Sequence, residues 1–239
     1  MNQRLTDYRV FWREFRRAFY TTGAVLPSGA GLAKALARYV REDRHVAESL
    51  RDSELAVSDF GELSQVEKLP YVGRRILEVG PGTGAVTQAV VRAMRDGDQL
   101  ELVEKNGEFV SLLREKFASD PVYQPAAGRF VLHHAGVDEL SEERPFDVIV
   151  SGLPLNNFPV AVVESILEKL NRLLAPGGVL SFFEYVAIRQ MKATLSRQAD
   201  RERLRGIGSA LDRFLSGREI RRECVLANVP PAWVHHVRK

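Results

Sequence analysis

The chain has 239 residues, 45% hydrophobic and 27% charged, with a formal net charge of +3. Those values fit a globular chain of one α/β domain with additions and leave an ample core to bury. A single cysteine, Cys224, excludes an internal disulfide, and neither His133-His134 nor His235-His236 has partner cysteines at zinc-like spacing, so no metal is expected.

No apolar run reaches the eighteen residues that a spanning helix needs, and the arginine-rich amino terminus does not read as a secretory signal. A reducing cytosol is therefore the expected compartment.

Residues 4–20 read as an amphipathic helix. Leu5, Tyr8, Phe11, Trp12, Phe15 and Phe19 recur at steps of three and four, with Arg9, Arg13, Arg16 and Arg17 on the neighbouring flank. Thr21–Ser28 breaks the pattern, and a second helix runs from Leu32 to Val40 with Ser28 or Gly29 near its start. Residues 41–70 are polar and acidic and read as a connector with one short helix. Residues 1–40, 41–70 and 71–239 thus form a leading segment, a connector and a main domain.

From Arg74 the chain alternates strand and helix. Strands are expected at 75–79, 100–103, 129–133, 146–150, 178–185 and near 222–228, and helices at 85–95, 107–118 and 159–174. Pro176-Gly177-Gly178 reads as a turn feeding the fifth strand, and 187–222 as an arginine-rich, largely helical insertion. The alternation argues for a doubly wound sheet that binds its ligand at the carboxyl ends of the strands.

The segment Leu77-Glu78-Val79-Gly80-Pro81-Gly82-Thr83-Gly84 carries most of the chemistry. A strand, a tight glycine turn and a helix N-terminus make a nucleoside-cofactor cradle. The carboxylate of Glu78 would repel a pyrophosphate but attract the amino group of S-adenosylmethionine. Glu104 lies twenty residues after Gly84 at the end of an apolar run, where an acid can accept hydrogen bonds from ribose hydroxyls. The alternative is a strain-relieving turn with Glu104 as a solvated strand end.

Leu77 to Thr87, Glu104, Phe146-Asp147-Val148-Ile149-Val150 and Leu174-Ala175-Pro176-Gly177-Gly178 resemble the successive motifs of class I S-adenosylmethionine-dependent methyltransferases. Within that superfamily Thr22–Ser28, Ser151–Phe158 and Asn228–Ala232 resemble segments of the bacterial phospholipid N-methyltransferases, which methylate phosphatidylethanolamine toward phosphatidylcholine. The resemblance covers about residues 5–40 and 72–237. It implies a Rossmann-like, seven-stranded, mostly parallel sheet with an added N-terminal helix, and a cofactor released as S-adenosylhomocysteine. To Glu78, Gly80, Gly82, Gly84 and Glu104 it adds Gly23, Lys105, His134, Ala135, Ser151, Gly152 and Leu153 as cofactor-binding residues.

Two departures stand out. His134 occupies the place where many class I enzymes carry an acid facing the adenine. Ser151-Gly152-Leu153-Pro154 stands where nucleic-acid adenine methyltransferases put Asn or Asp, Pro-Pro and an aromatic. The implied acceptor is therefore the amine of an aminolipid, with an ornithine lipid or an rRNA adenine as alternatives, and nucleic acid is not the expected partner.

Methyl transfer to an amine needs position and an unprotonated nitrogen, which desolvation can supply. The carbonyls of residues 151–153, the side chains of Asn156 and Asn157, and Tyr185 are the candidates to orient that nitrogen. The two asparagines could equally cap the helix that follows. The N-terminal helix has three readings: a cover for the domain, an RNA contact, or a peripheral contact with the inner face of the cytoplasmic membrane. The last agrees with a lipid acceptor and would use Arg9, Trp12, Arg13, Phe15, Arg16, Arg17 and Phe19. The basic run 188–223, with ten Lys/Arg against five acids, is either a solvated helix face or a second phosphate-facing surface. Trp233, His235 and His236 read as packing and surface residues.

Overall fold

The computed structural model describes residues 29–42, 73–185, 198–228 and 230–239. The expected helix at 4–20, Gly23, the connector from residue 43 and the run 186–197 lie outside the described residues.

The second helix begins at Gly29 and comes in two pieces, α1 (Ala30–Leu36) and α2 (Arg38–Arg41), broken at Ala37. The main domain then runs β1 (Arg75–Val79), α3 (Ala85–Ala93), β2 (Gln99–Glu104), α4 (Gly107–Ser119), β3 (Phe130–His134), β4 (Phe146–Ser151), α5 (Val160–Leu173), β5 (Leu174–Tyr185), α6 (Gln198–Leu215), β6 (Glu219–Val225) and β7 (Ala232–Arg238). Single 3-10 turns occupy Pro121–Ala126, Val137–Glu139 and Leu155–Asn157.

The strands form one seven-stranded sheet in the order β3-β2-β1-β4-β5-β7-β6. All neighbouring pairs from β3 to β5 are parallel, and β7 is antiparallel to both β5 and β6. The doubly wound, mostly parallel expectation holds. Two apolar layers flank the sheet. One joins α1, α2 and α3 to Ile76, Leu100, Val148 and Phe183, and the other joins α5 and α6 to Leu77, Ile149, Leu180 and Phe182.

Four expectations are corrected. Residues 219–222 belong to β6 and not to a helical insertion, because Gly217 (φ 72°) turns the chain out of α6 and Glu219–Val225 then pairs with β7, with a register shift between Glu219 and Arg221. The sixth strand therefore ends at Val225, before residue 228. A seventh strand, β7, carries Trp233, His235 and His236, and both histidines are buried within the sheet and not at the surface. Pro176-Gly177-Gly178 lies inside β5 as an irregularity in its pairing with β4, where the register slips between Phe146 and Val148.

The first helices are docked by charge as well as by apolar contact. Buried Arg74 pairs with Asp98 at 2.9 Å and donates to the carbonyls of Tyr39, Val40 and Glu42, satisfying the open end of α2. Arg38 makes a two-pronged contact with Glu223 on β6. Gly29 N–H donates to Asn228 Oδ1 at 3.0 Å, tying the start of α1 to the turn before β7.

Glu223 continues inward to His236 Nε2 (3.1 Å), whose Nδ1 meets Ser181 Oγ at 2.8 Å. A carboxylate accepts only, so Nε2 carries the proton and Nδ1 accepts from the serine hydroxyl. Burial lowers the His236 pKa from 6.5 to about 4 despite the nearby Glu223 charge. The unfolded imidazole takes its proton first as pH falls, so this contribution is complete above pH 6.5 and is lost as pH falls through 4. His236→Gln, which cannot titrate, should be destabilised relative to the native chain at pH 7, and the gap should narrow by up to about 3 kcal/mol between pH 6.5 and 4. Chemical denaturation of both proteins across that range checks it; a constant gap would refute the assignment.

Candidate cofactor and acceptor site

The parallel strands bring the carboxyl ends of β1, β2, β3 and β4 to one edge, where Val79 pairs with Val103 and Ser151, and Glu104 with His134. The glycine turn leaves this edge. Gly80, Gly82 and Gly84 all have positive φ, at 69°, 56° and 86°. Gly80 and Gly84 also leave no room for a side chain: an added Cβ would lie 2.7 Å from Leu153 Cδ2 and 2.6 Å from the Tyr123 hydroxyl. At Gly82 an added Cβ would meet nothing within 4 Å, so the crest of the turn is open.

The two predicted acids sit on either side of this turn in contrasting environments. Glu78 is fully buried beneath α3, and neither carboxylate oxygen has a hydrogen-bond partner among the described residues. Burial pushes its pKa up to about 8, with the Thr87 hydroxyl opposing the rise and the Glu104 charge adding to it. Glu104 is also buried, but its Oε2 accepts from Gly82 N–H (3.1 Å) and its Oε1 from Asn106 N–H (2.8 Å). Its pKa is raised by burial and held back by the backbone amides of Asn106, Gly82 and Lys105. Glu104 therefore fixes the turn to the end of β2 and faces the same edge as Glu78.

Among the other expected cofactor residues, Lys105 is half-buried directly after β2, and His134 is exposed at the end of β3 beside the start of α4. A Cβ on Gly107 would lie 3.3 Å from the His134 ring. Ala135 N–H donates to the Glu104 carbonyl at 3.1 Å, so the end of β3 is locked to the end of β2. Gly152 N–H donates to the Val79 carbonyl at 2.8 Å, and buried Leu153 packs against Gly80. Ser151–Leu153 thus line the turn from the β4 side. Gly23 lies outside the described residues.

Asn156, Asn157 and Tyr185 come together in part. Asn156 is buried, and its Nδ2 donates to the Tyr185 carbonyl at 3.5 Å. Asn157 lies half-buried in the same 3-10 turn. Neither caps α5, because Pro159 takes the cap position with no side-chain bond. Tyr185 ends β5 on the sheet face that carries Glu78, and burial raises its phenol pKa.

Three side chains make contacts that had no local signal in the sequence. Arg203 on α6 donates to the carbonyls of Asn156 (2.7 Å) and Phe158 (3.3 Å), Lys116 to that of Thr83, and Tyr123 to that of Gly84. Each joins segments more than thirty residues apart. No cluster of His, Cys, Asp and Glu suited to a metal occurs among the described residues.

The cradle fits a ligand that brings a cation to Glu78 and vicinal hydroxyls to Glu104. Glu78→Gln should then act in opposite directions on stability and on binding. The unfolded carboxyl ionises near 4.5 and the folded one near 8, so the native chain loses stability as pH rises between them. The glutamine variant should be relatively more stable at pH 8 by on the order of a few kcal/mol. It should bind S-adenosylmethionine about 10- to 100-fold more weakly, and it should abolish the proton release that accompanies binding to the native chain at pH 7. Calorimetry in buffers of different ionisation enthalpy measures both quantities, and equal affinity of the two proteins would refute the role of Glu78.

Residues 76–178 match the family described as "Methyltransferase domain". A stretch of 122 residues is 26% identical to the ornithine lipid N-methyltransferase of Singulisphaera acidiphila, covering 48% of this chain and 60% of that protein. A stretch of 84 residues is 36% identical to ribosomal RNA small subunit methyltransferase A of Porphyromonas gingivalis, covering 35% of this chain and 26% of that enzyme. The chain thus spans less than two thirds of the length of either relative.

The fold is similar to that of an O-methyltransferase from Bacillus cereus in complex with S-adenosylhomocysteine, with a TM-score of 0.52 at 17% identity over 86% of this chain and 97% of that one. It is also similar to an O-methyltransferase from Streptomyces achromogenes in complex with S-adenosylmethionine, with a TM-score of 0.50 at 16% identity over 84% and 92% of the two chains. Sheet order, glycine turn, flanking acids and family match agree: residues 76–178 form a methyltransferase domain of the S-adenosylmethionine-dependent kind.

Proposed function

We propose that this protein methylates the amine of an aminolipid headgroup at a membrane surface, with phosphatidylethanolamine as the first substrate and an ornithine lipid as the alternative. The observation that carries the reading is the loop Ser151–Phe158. It closes the β4 side of the cofactor turn with backbone carbonyls, two asparagines and the nearby Tyr185, and it lacks the Asn/Asp-Pro-Pro-aromatic segment of adenine methyltransferases. The similarity to an ornithine lipid N-methyltransferase supports the same class of acceptor.

The cofactor, when bound, supplies an activated methyl group on a sulfonium. The chain supplies position and a dry site for the accepting nitrogen. An ammonium brought beside buried Asn156 and Tyr185 loses hydration, which favours the neutral amine with its lone pair free. The raised phenol pKa keeps Tyr185 protonated, so its oxygen can accept from the amine N–H. No strong base is required at the reacting atom.

No helix among the described residues is long and apolar enough to cross a membrane. Access to the lipid is assigned to residues 4–20, whose arginines meet headgroup phosphates while Trp12, Phe15 and Phe19 enter the interface. On this reading the protein works at the cytoplasmic face of the membrane, in exchange with the cytosol.

Labelled methyl transfer from S-adenosylmethionine into phosphatidylethanolamine vesicles, ornithine-lipid vesicles and total RNA distinguishes the acceptors. Label in the first supports the proposal as stated, label in the second alone selects the alternative lipid, and label in RNA alone overturns it. Tyr185→Phe should lower kcat about tenfold or more while leaving S-adenosylhomocysteine affinity intact. Replacing Arg13, Arg16 and Arg17 together by Ala should weaken association with anionic vesicles on the order of 100-fold, as measured by cosedimentation.

A further inference from the structure

We propose that Lys116 and Tyr123 are positioning residues for the cofactor, holding the glycine turn from behind in the shape that the cofactor meets. The inference rests on the cofactor assignment made above. It concerns side chains outside every motif that led to that assignment.

The turn is held from two sides. On the β2 side Glu104 accepts from Gly82 N–H, as described. On the opposite side Lys116 Nζ, near the end of α4, donates to the Thr83 carbonyl at 2.7 Å. The Tyr123 hydroxyl, in the 3-10 turn after α4, donates to the Gly84 carbonyl at 3.0 Å. That same carbonyl accepts the first helical bond of α3, from Gln88 N–H at 3.1 Å. Two consecutive carbonyls at the strand-to-helix junction are therefore fixed by side chains that arrive from another element.

The anchor behind them is stiff. Tyr123 is completely buried, its ring meets Phe117 edge-on at 4.9 Å, and Phe117 stacks on Phe130 at 3.8 Å. Burial pushes the Tyr123 phenol up to about 12, so the hydroxyl remains a donor at any physiological pH. The fit between Gly84 and this hydroxyl is too close for even a methyl group, so the turn cannot sink further toward α4.

A turn with three glycines at positive φ has more conformations to lose than any other segment of this length. Without fixed carbonyls, the cost of ordering it would fall on the binding step. With them, the turn is ordered before the cofactor arrives, and affinity is gained through preorganisation. A purely structural role predicts something different. Lost bonds would then lower the stability of the cofactor-free protein and leave the affinity of the folded fraction unchanged.

The test is calorimetric titration of the full chain with S-adenosylhomocysteine, with thermal unfolding of each cofactor-free protein alongside. Tyr123→Phe and Lys116→Met should each raise Kd about fivefold, and their combination about twentyfold or more. The unfolding midpoint should move by no more than about 4 °C for each single variant. Lys116→Arg, which keeps a cationic donor, should restore most of the affinity. Unchanged Kd in both single variants would overturn the inference, as would a midpoint that collapses while the folded fraction binds normally. Failure of the native chain to bind would overturn the cofactor assignment itself, and this inference with it.

Discussion

A fully buried carboxylate whose oxygens make no hydrogen bond among the described residues is a costly arrangement, and the cofactor site is arranged around one, Glu78. Glu78 sits in a strand that is buried from Ile76 onward, and it is itself completely buried. The folded chain relieves the cost by keeping the carboxyl protonated, which leaves a latent negative charge behind the glycine turn. At neutral pH a cation delivered to that place would recover the charge. Glu104, at the same edge, has the opposite arrangement, because backbone amides satisfy it and use it to fix the turn. Two chemically similar acids thus sit in opposite environments, one satisfied by the backbone of the turn and one buried without a hydrogen bond among the described residues.

The same row of the sheet carries a second polar system. Across the strands run Leu102, Glu78, Val150, Ser181, His236 and Arg221 in register, all on one face. Ser181, His236 and Glu223 are hydrogen-bonded to one another and continue to Arg38 on α2. Although they juxtapose a hydroxyl, an imidazole and a carboxylate, Ser181 and His236 are both fully buried, and the chain of bonds ends at the docked helix. It fastens the first helices to the last strands. Val150 separates it from Glu78, so protonation of one system need not disturb the other.

What the sequence made legible follows from locality. The strand, turn and helix around Gly80–Gly84 are contiguous, and Glu104 ends the very next strand, so a reading of spacing reaches both. The strand positions from β1 to β4 fall within a residue or so of those expected, because each is a short apolar run. β7 was hidden because two histidines and a tryptophan resemble surface residues until Ser181, Glu219 and Glu223 are brought to them from other strands. The start of β6 was obscured by its arginines, which continue the basic composition of α6 while the backbone has already turned at Gly217. Lys116 and Tyr123 act on carbonyls 33 and 39 residues away, and no periodicity encodes such a contact.

The fold also bears on how the protein could meet an anionic surface. A cation helps such docking only if it is not already engaged by the protein. Within the basic run 188–223, Arg203 is turned onto the Asn156 and Phe158 carbonyls, and Arg213 pairs with Glu164 at 2.6 Å. Arg218 lies over Phe214, Arg222 over Trp233, and Arg221 beside Glu223. Half of the ten cations counted there thus already make contacts within the chain, two of them in solvent-exposed pairs, which leaves fewer for a second broad phosphate-facing surface. Under the lipid reading, the electrostatic load then falls on Arg9, Arg13, Arg16 and Arg17. Arg203, by contrast, is turned inward and holds the Ser151–Phe158 loop through the carbonyls of Asn156 and Phe158.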